Sequence, residues 1–167
     1  MIITISGKPG SGKSSIAKMI AEKYKLKYYS TGEFFRTRAK EKNLSLKEFS
    51  TLAQKEREHD NETDKWQIEL GKKEDNFVIE GRLGHKFIEK AVKIYLDVDK
   101  ETGAERIMNE KRDGEIALDK SHAIHLWEHR IHSCILSRKY FIYCHYLIII
   151  KVLLYLECLC LSILLQI

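Results

Sequence analysis

An α/β fold built on a doubly wound parallel sheet is predicted by three observations: short β-branched runs recur along the chain, stretches of helical periodicity separate them, and the first run feeds a glycine loop that opens into a helix. Residues 1–6 contain Ile2, Ile3, Thr4 and Ile5 in a row, the pattern of a strand buried on both faces, so this strand is expected at the sheet centre. From Lys13 onward Ile16, Ile20 and Tyr24 recur every four residues beside Ala17 and Ala21, which predicts a helix with one face on that strand. Residues 26–29 read as a second strand, stopped by the turn Ser30-Thr31-Gly32. Three polar helical stretches follow at 33–42, 45–55 and 59–73, forming a helical insertion. Ser45 with Glu48 three residues on makes a capping box, which satisfies the first amides of the middle helix. Residues 76–80 and 91–96 are the next strands, and Ala104, Ile107 and Met108 give the helix after them an apolar face.

The 167 residues fit one domain, and a net charge of +5 with 32% charged residues describes a mildly basic surface. That balance suits phosphorylated small molecules as readily as nucleic acid, so charge alone does not select the ligand. No apolar leader opens the chain, and a cytoplasmic location is expected. All four cysteines lie in the last quarter, and their spacing matches neither a disulfide framework nor a zinc site.

The strongest motif is Gly7-Lys8-Pro9-Gly10-Ser11-Gly12-Lys13-Ser14, the phosphate-binding pattern G-x-x-x-x-G-K-[ST], placed between a strand and a helix as it must be. Its glycines let the backbone wrap phosphate oxygens, while loop amides and the helix N-terminus supply positive potential. Lys13 is expected to reach the β- and γ-phosphates of ATP, and Ser14 to offer its hydroxyl to Mg2+; Ser15 completes the ATP-binding segment from Gly7. The motif in this context predicts a P-loop NTPase fold. Two further groupings stand where ligands of such sheets bind. Ser30-Thr31-Gly32-Glu33-Phe34-Phe35-Arg36 leads a turn into a helix with an early arginine, and Phe77-Val78-Ile79-Glu80-Gly81-Arg82 ends an apolar strand in an acid and an arginine. A solvated helix-cap arginine and a strand-end salt bridge are the plain alternatives.

The Thr-Gly-acid turn followed by an arginine resembles the nucleoside monophosphate kinases. Within them, residues 2–7, Gly32-Glu33 with Arg36, 45–49, 60–67 and Glu80-Gly81-Arg82-Leu83 are similar to the archaeal-type cytidylate kinases, a likeness covering residues 1 to about 120. The resemblance implies transfer of the γ-phosphoryl group of ATP to CMP or dCMP. It gives Thr31, Gly32, Arg36 and Arg82 to the acceptor phosphate and Glu80, with Ser14, to the metal. It also makes 33–73 the acceptor-binding helices and 106–114 the start of a short lid. Arg106 and Arg112, with Lys111, stand where such a lid covers the phosphates, so that Lys13, Arg82, Arg106 and Arg112 are the expected catalytic cations. Asp60 and Asp64 fall one turn apart on one helix and could accept from the cytosine amino group, or simply form a solvated acidic face. The expected partners are ATP and CMP, with a monomer acting on no nucleic acid.

After about Lys120 the likeness fails, and 121–167 is a divergent apolar region from which no site is carried over. From 140 to 167 the only formally charged residues are Lys151 and Glu157. Three readings stand open: a membrane anchor, a divergent strand and helix completing the core, and a non-native end from a shifted reading frame. For the anchor, about fifteen apolar residues at roughly −0.3 to −0.6 kcal/mol each are offset by up to ~3 kcal/mol for each charge, so insertion is marginal. The abrupt change of composition favours the third. The rivals to a cytidylate kinase are an adenylate or UMP kinase, and a membrane-tethered or inactive ATP-binding protein.

Overall fold

The computed structural model describes residues 1–55, 57–109, 117–136 and 148–151. Within these, β1 (Ile2–Gly7) and α1 (Lys13–Tyr24) are followed by β2 (Lys27–Ser30) and three helices, α2 (Thr31–Glu41), α3 (Leu46–Lys55) and α4 (Arg57–Lys73). Then come β3 (Phe77–Glu80), the single turn α5 (Gly84–Phe87), β4 (Val92–Asp97), α6 (Lys100–Asn109), α7 (Lys120–Leu136) and β5 (Ile148–Lys151). The strands form one parallel sheet in the order β2-β3-β1-β4-β5, so β1 is central, as its unbroken apolar run requires.

Strand alternation sorts the core into two faces. Ile3 and Ile5 pack with Val78, Ile94 and Leu96 against Ala17, Ile20 and Ala21 of α1. Ile2, Phe77 and Ile79 take the opposite face with Leu70 of α4 and Ile88. The small residues Ala17 and Ala21 let α1 sit close to the sheet. Tyr24, expected on that apolar face, is instead 38% exposed, because α1 ends there and Lys25 turns into the left-handed conformation at φ 53°.

The insertion begins two residues before its expected edge. Ser30 caps α2 by accepting the Glu33 N–H at 3.2 Å, which draws Thr31 and Gly32 into the first turn. The capping box of α3 forms in both directions: the Glu48 N–H donates to Ser45 Oγ at 3.2 Å, and the Ser45 N–H to Glu48 Oε2 at 2.8 Å. That bond set holds the Glu48 carboxyl below its ordinary pKa, the Ser45 hydroxyl being the largest cause.

Beyond residue 120 the described chain is ordered into two elements. Helix α7 packs on α6, and β5 pairs in parallel with β4 from Ile94↔Ile148 to Asp97↔Lys151. No helix among the described residues is long and apolar enough to cross a membrane. Residues 137–147 and 152–167, on which the three readings of the tail turn, lie outside the described residues.

Candidate active site

The loop between β1 and α1 is held from outside by its neighbours. The Lys8 N–H donates to Leu96 O at 3.2 Å, and its ammonium bonds Asp97 Oδ1 at 2.6 Å, so Lys8 anchors the loop to the end of β4 at both its backbone and its side chain. Lys13, the first residue of α1, donates to the carbonyl of Lys8 at 2.7 Å and so lies back across the loop it follows. Gly12 caps the helix at φ 82°, a conformation that a β-carbon would strain. The Ser11 hydroxyl is fully buried inside the loop and has no hydrogen-bond partner. A buried hydroxyl left unpaired costs about 1–3 kcal/mol, which a bonding partner would recover. Ser15 is exposed on the first turn of α1.

Glu80 joins this loop to the second half of the site. The residue is only 7% exposed, and Oε1 accepts from Ser14 Oγ at 3.3 Å, from Tyr28 OH at 3.5 Å and, more closely, from Ser30 Oγ. Burial first, and the Glu80 charge second, push the Tyr28 phenol above its ordinary pKa, so it stays protonated and donates. Thr31 Oγ1 donates to the Glu80 carbonyl at 3.2 Å and packs so closely on Gly81 that a β-carbon there would lie 2.1 Å from it. The strand-end acid, the first helix of the insertion and the P-loop serine therefore share one oxygen atom as their junction.

The hydroxyl of Ser14 and the carboxylate of Glu80 are hard oxygen donors of the kind Mg2+ takes together with water and phosphate oxygens. Among the described residues no group of three or more His, Cys, Asp or Glu gathers that could hold a metal ion. Mg2+ is commonly held through one or two protein oxygens together with substrate phosphates.

Arg36 and Arg82 flank the junction. Arg36 on α2 folds back so that a β-carbon on Gly32 would lie 3.5 Å from its Nη1, and Arg82 is exposed on the turn two residues after Glu80. An aromatic stack joins two helices of the insertion: Phe34 of α2 stacks on Trp66 of α4 with centroids 4.4 Å apart and planes 9° apart. Tyr29 meets Trp66 edge-on at 6.3 Å. The stack ties α2 to α4 and was not singled out by sequence, where the whole of α3 separates Phe34 from Trp66; their places inside the two family-like segments were the available signal. Asp64 lies partly buried on α4, one turn beyond the position of Asp60, whose side chain falls outside what the structure describes.

Arg106 of α6 does reach the loop, donating to Gly10 O at 3.1 Å. Arg112 and Lys111 lie outside the described residues. A contact that sequence reasoning missed comes from α7, whose Trp127 indole N–H donates to Pro9 O at 3.1 Å. On the sheet face below the loop, His85 Nδ1 is 3.1 Å from the buried Ser6 Oγ. Burial, with Lys86 and Lys93 nearby, lowers the His85 pKa from its ordinary 6.5, so the ring is neutral.

Comparison with known proteins agrees with this geometry. Residues 2–135 match the cytidylate kinase-like family, which carries the likeness about fifteen residues past the limit read from motifs and into α7. The chain is 43% identical over 129 residues to a cytidylate kinase of Methanocella arvoryzae, covering 77% of this chain and 74% of that protein. It is 44% identical over 126 residues to a cytidylate kinase of Methanocaldococcus jannaschii, covering 72% and 70%. In fold it is similar to a shikimate kinase from Bacteroides thetaiotaomicron, with a TM-score of 0.59, 16% identity, and 83% and 80% of the two chains covered. The P-loop sheet with its strand-end acid and helical insertion is thus a kinase architecture, and the chain belongs to the cytidylate kinase-like family.

Proposed function

We propose that the protein is a cytidylate kinase, transferring the γ-phosphoryl group of ATP to CMP or dCMP to give ADP and CDP or dCDP. The observation that carries this reading is the junction at Glu80, where the hydroxyls of Ser14 from the ATP loop and Ser30 from the acceptor segment bond one buried carboxylate oxygen. That arrangement fixes the two substrate sites relative to each other. Family membership and the names of the curated relatives supply the cytidine acceptor.

In this reading the loop from Gly7 to Ser15 holds the triphosphate, and Ser11 finds the partner its buried hydroxyl lacks. Lys13 exchanges the Lys8 carbonyl for β- and γ-phosphate oxygens. Arg36 and Arg82, with Thr31 and Gly32 at the helix start, grip the CMP phosphate; the planar guanidinium fork holds it bidentately and aims one oxygen at the γ-phosphorus. That oxygen forms the new P–O bond as the bond from the γ-phosphorus to the bridging oxygen breaks, and ADP leaves with the electron pair. Ser14, with Glu80 beside it, would hold Mg2+, which would supply positive charge to the phosphates. Arg106 and Arg112 add positive charge from the lid side. Asp60 and Asp64 accept from the cytosine amino group, which distinguishes CMP from UMP. No general base is required, because positioning and charge neutralisation supply the catalysis. The same reading makes the protein a monomeric, cytoplasmic enzyme acting on nucleotides rather than nucleic acid.

The test is a coupled ADP-release assay across CMP, dCMP, AMP and UMP. CMP or dCMP is expected to turn over fastest; fastest turnover of AMP would assign the chain to the adenylate kinases instead.

A further inference from the structure

The carbonyls of three consecutive loop residues accept from three different helices. Lys8 O takes the ammonium of Lys13 at 2.7 Å, Pro9 O the indole N–H of Trp127 at 3.1 Å, and Gly10 O the guanidinium of Arg106 at 3.1 Å. The middle bond acts on the Pro9–Gly10 peptide. Proline fixes its own φ but not its ψ, and Gly10, at φ 72°, has no side chain to oppose rotation, so the plane of the Pro9–Gly10 peptide can turn at little cost. In a trans peptide the carbonyl and the N–H point in opposite directions, and the described chain contains no cis bond. Holding Pro9 O toward α7 therefore turns the Gly10 N–H away from α7.

The packing around this bond is built for close approach. A β-carbon on Gly103 of α6 would lie 2.4 Å from Trp127 Nε1 and 3.1 Å from Pro9 O, and one on Gly10 would lie 2.4 Å from Gly103 O. Gly10, Gly103 and the indole thus nest against each other with no room for side-chain atoms. The register of α7 on α6 is set beside them by the ion pair of Lys100 with Glu128 at 2.6 Å and by Ala123, which is fully buried.

We infer that Trp127 is a positioning residue for ATP: its indole N–H locks the Pro9–Gly10 peptide so that the Gly10 amide is presented to the nucleotide phosphates. The inference rests on the reading of the loop as the ATP site, and it gives α7 a role in that site. One neutral hydrogen bond of about 0.5–1.5 kcal/mol corresponds to a roughly twofold to tenfold change in affinity.

Trp127→Phe keeps an aromatic ring and removes the donor. Steady-state kinetics on the full chain should show the KM for ATP, and the dissociation constant for Mg-ADP, raised about twofold to tenfold. The KM for CMP should stay within about twofold, because the acceptor contacts are untouched. Gly103→Ala, which pushes the indole off Pro9, should give the same ATP-selective change. A folded Trp127→Phe protein that binds Mg-ADP as tightly as the parent would overturn the inference, as would equal losses for ATP and CMP. Where circular dichroism shows the variant unfolded, Trp66→Phe decides: Trp127 is then the single tryptophan of the chain, and its emission should respond to Mg-ADP and not to CMP. No response to Mg-ADP contradicts the inference. The Mg-ADP measurements need no acceptor, so they stand even where CMP proves to be the wrong substrate. A parent chain that binds no Mg-ADP would refute the ATP-site reading itself.

Discussion

Lys13 donates at 2.7 Å to a carbonyl of its own loop, a partner easily exchanged for phosphate oxygens of full negative charge. Lys13→Ala should therefore lower kcat by roughly 10²–10³-fold, the scale for removing one transition-state donor, with circular dichroism unchanged. Arg36 tests the other substrate. Removing a charged hydrogen-bond donor costs about 1.5–3 kcal/mol, so Arg36→Ala should cut kcat/KM for CMP by roughly tenfold to 150-fold while the KM for ATP barely moves. Equal effects on both substrates in steady-state kinetics would place Arg36 outside the acceptor site. Both residues were legible in the sequence because their neighbours in the chain carry the pattern: a glycine loop for one, a Thr-Gly-acid turn for the other. Trp127 was not legible, since its partner Pro9 is 118 positions away and nothing local marks an indole as a backbone donor. Ser30 was read only as part of a turn, although it caps α2 and also bonds Glu80, a second role that only the sheet register can create.

Element by element, apolar periods located α1 and α6, start and stop signals located the three polar helices of the insertion, and most helix and strand limits agree within two residues. The capping box did best, because Ser45 and Glu48 satisfy each other locally. Ser45→Ala should cost about 1 kcal/mol in chemical denaturation, with m unchanged. The one-turn helix α5 escaped notice, being too short to show a period, and it delivers His85 into the core. The His85 pKa is depressed in the fold, so the unfolded chain takes up the proton first. Stability should accordingly fall as pH drops below about 6.5, by at most about 1.4 kcal/mol per pH unit from this residue. Thermal melts between pH 7.5 and 5 should show a shallower decline for His85→Gln than for the parent; parallel curves would mean that His85 is not the group responsible.

At the scale of the molecule, the alternation of strands and helices predicted a parallel sheet but not its order. The order β2-β3-β1-β4-β5 follows from how the connections cross, and it sets β1 beside β3 so that Ser14 and Glu80 meet. The chain after residue 120 was the least legible part, since its composition departs from that of the preceding sequence while its first helix still packs on α6 and touches the loop. Composition reports which residues are present; it does not report which surface they bury. The account as a whole stands on phosphoryl transfer between two sites joined at Glu80. Its most direct test is ADP release by the full-length chain with Mg-ATP and each of CMP, dCMP, AMP and UMP, measured in parallel for Lys13→Ala. The account predicts fastest turnover with CMP or dCMP, at least about a hundredfold lower in the variant; fastest turnover with AMP, or equal rates for parent and variant, would contradict it.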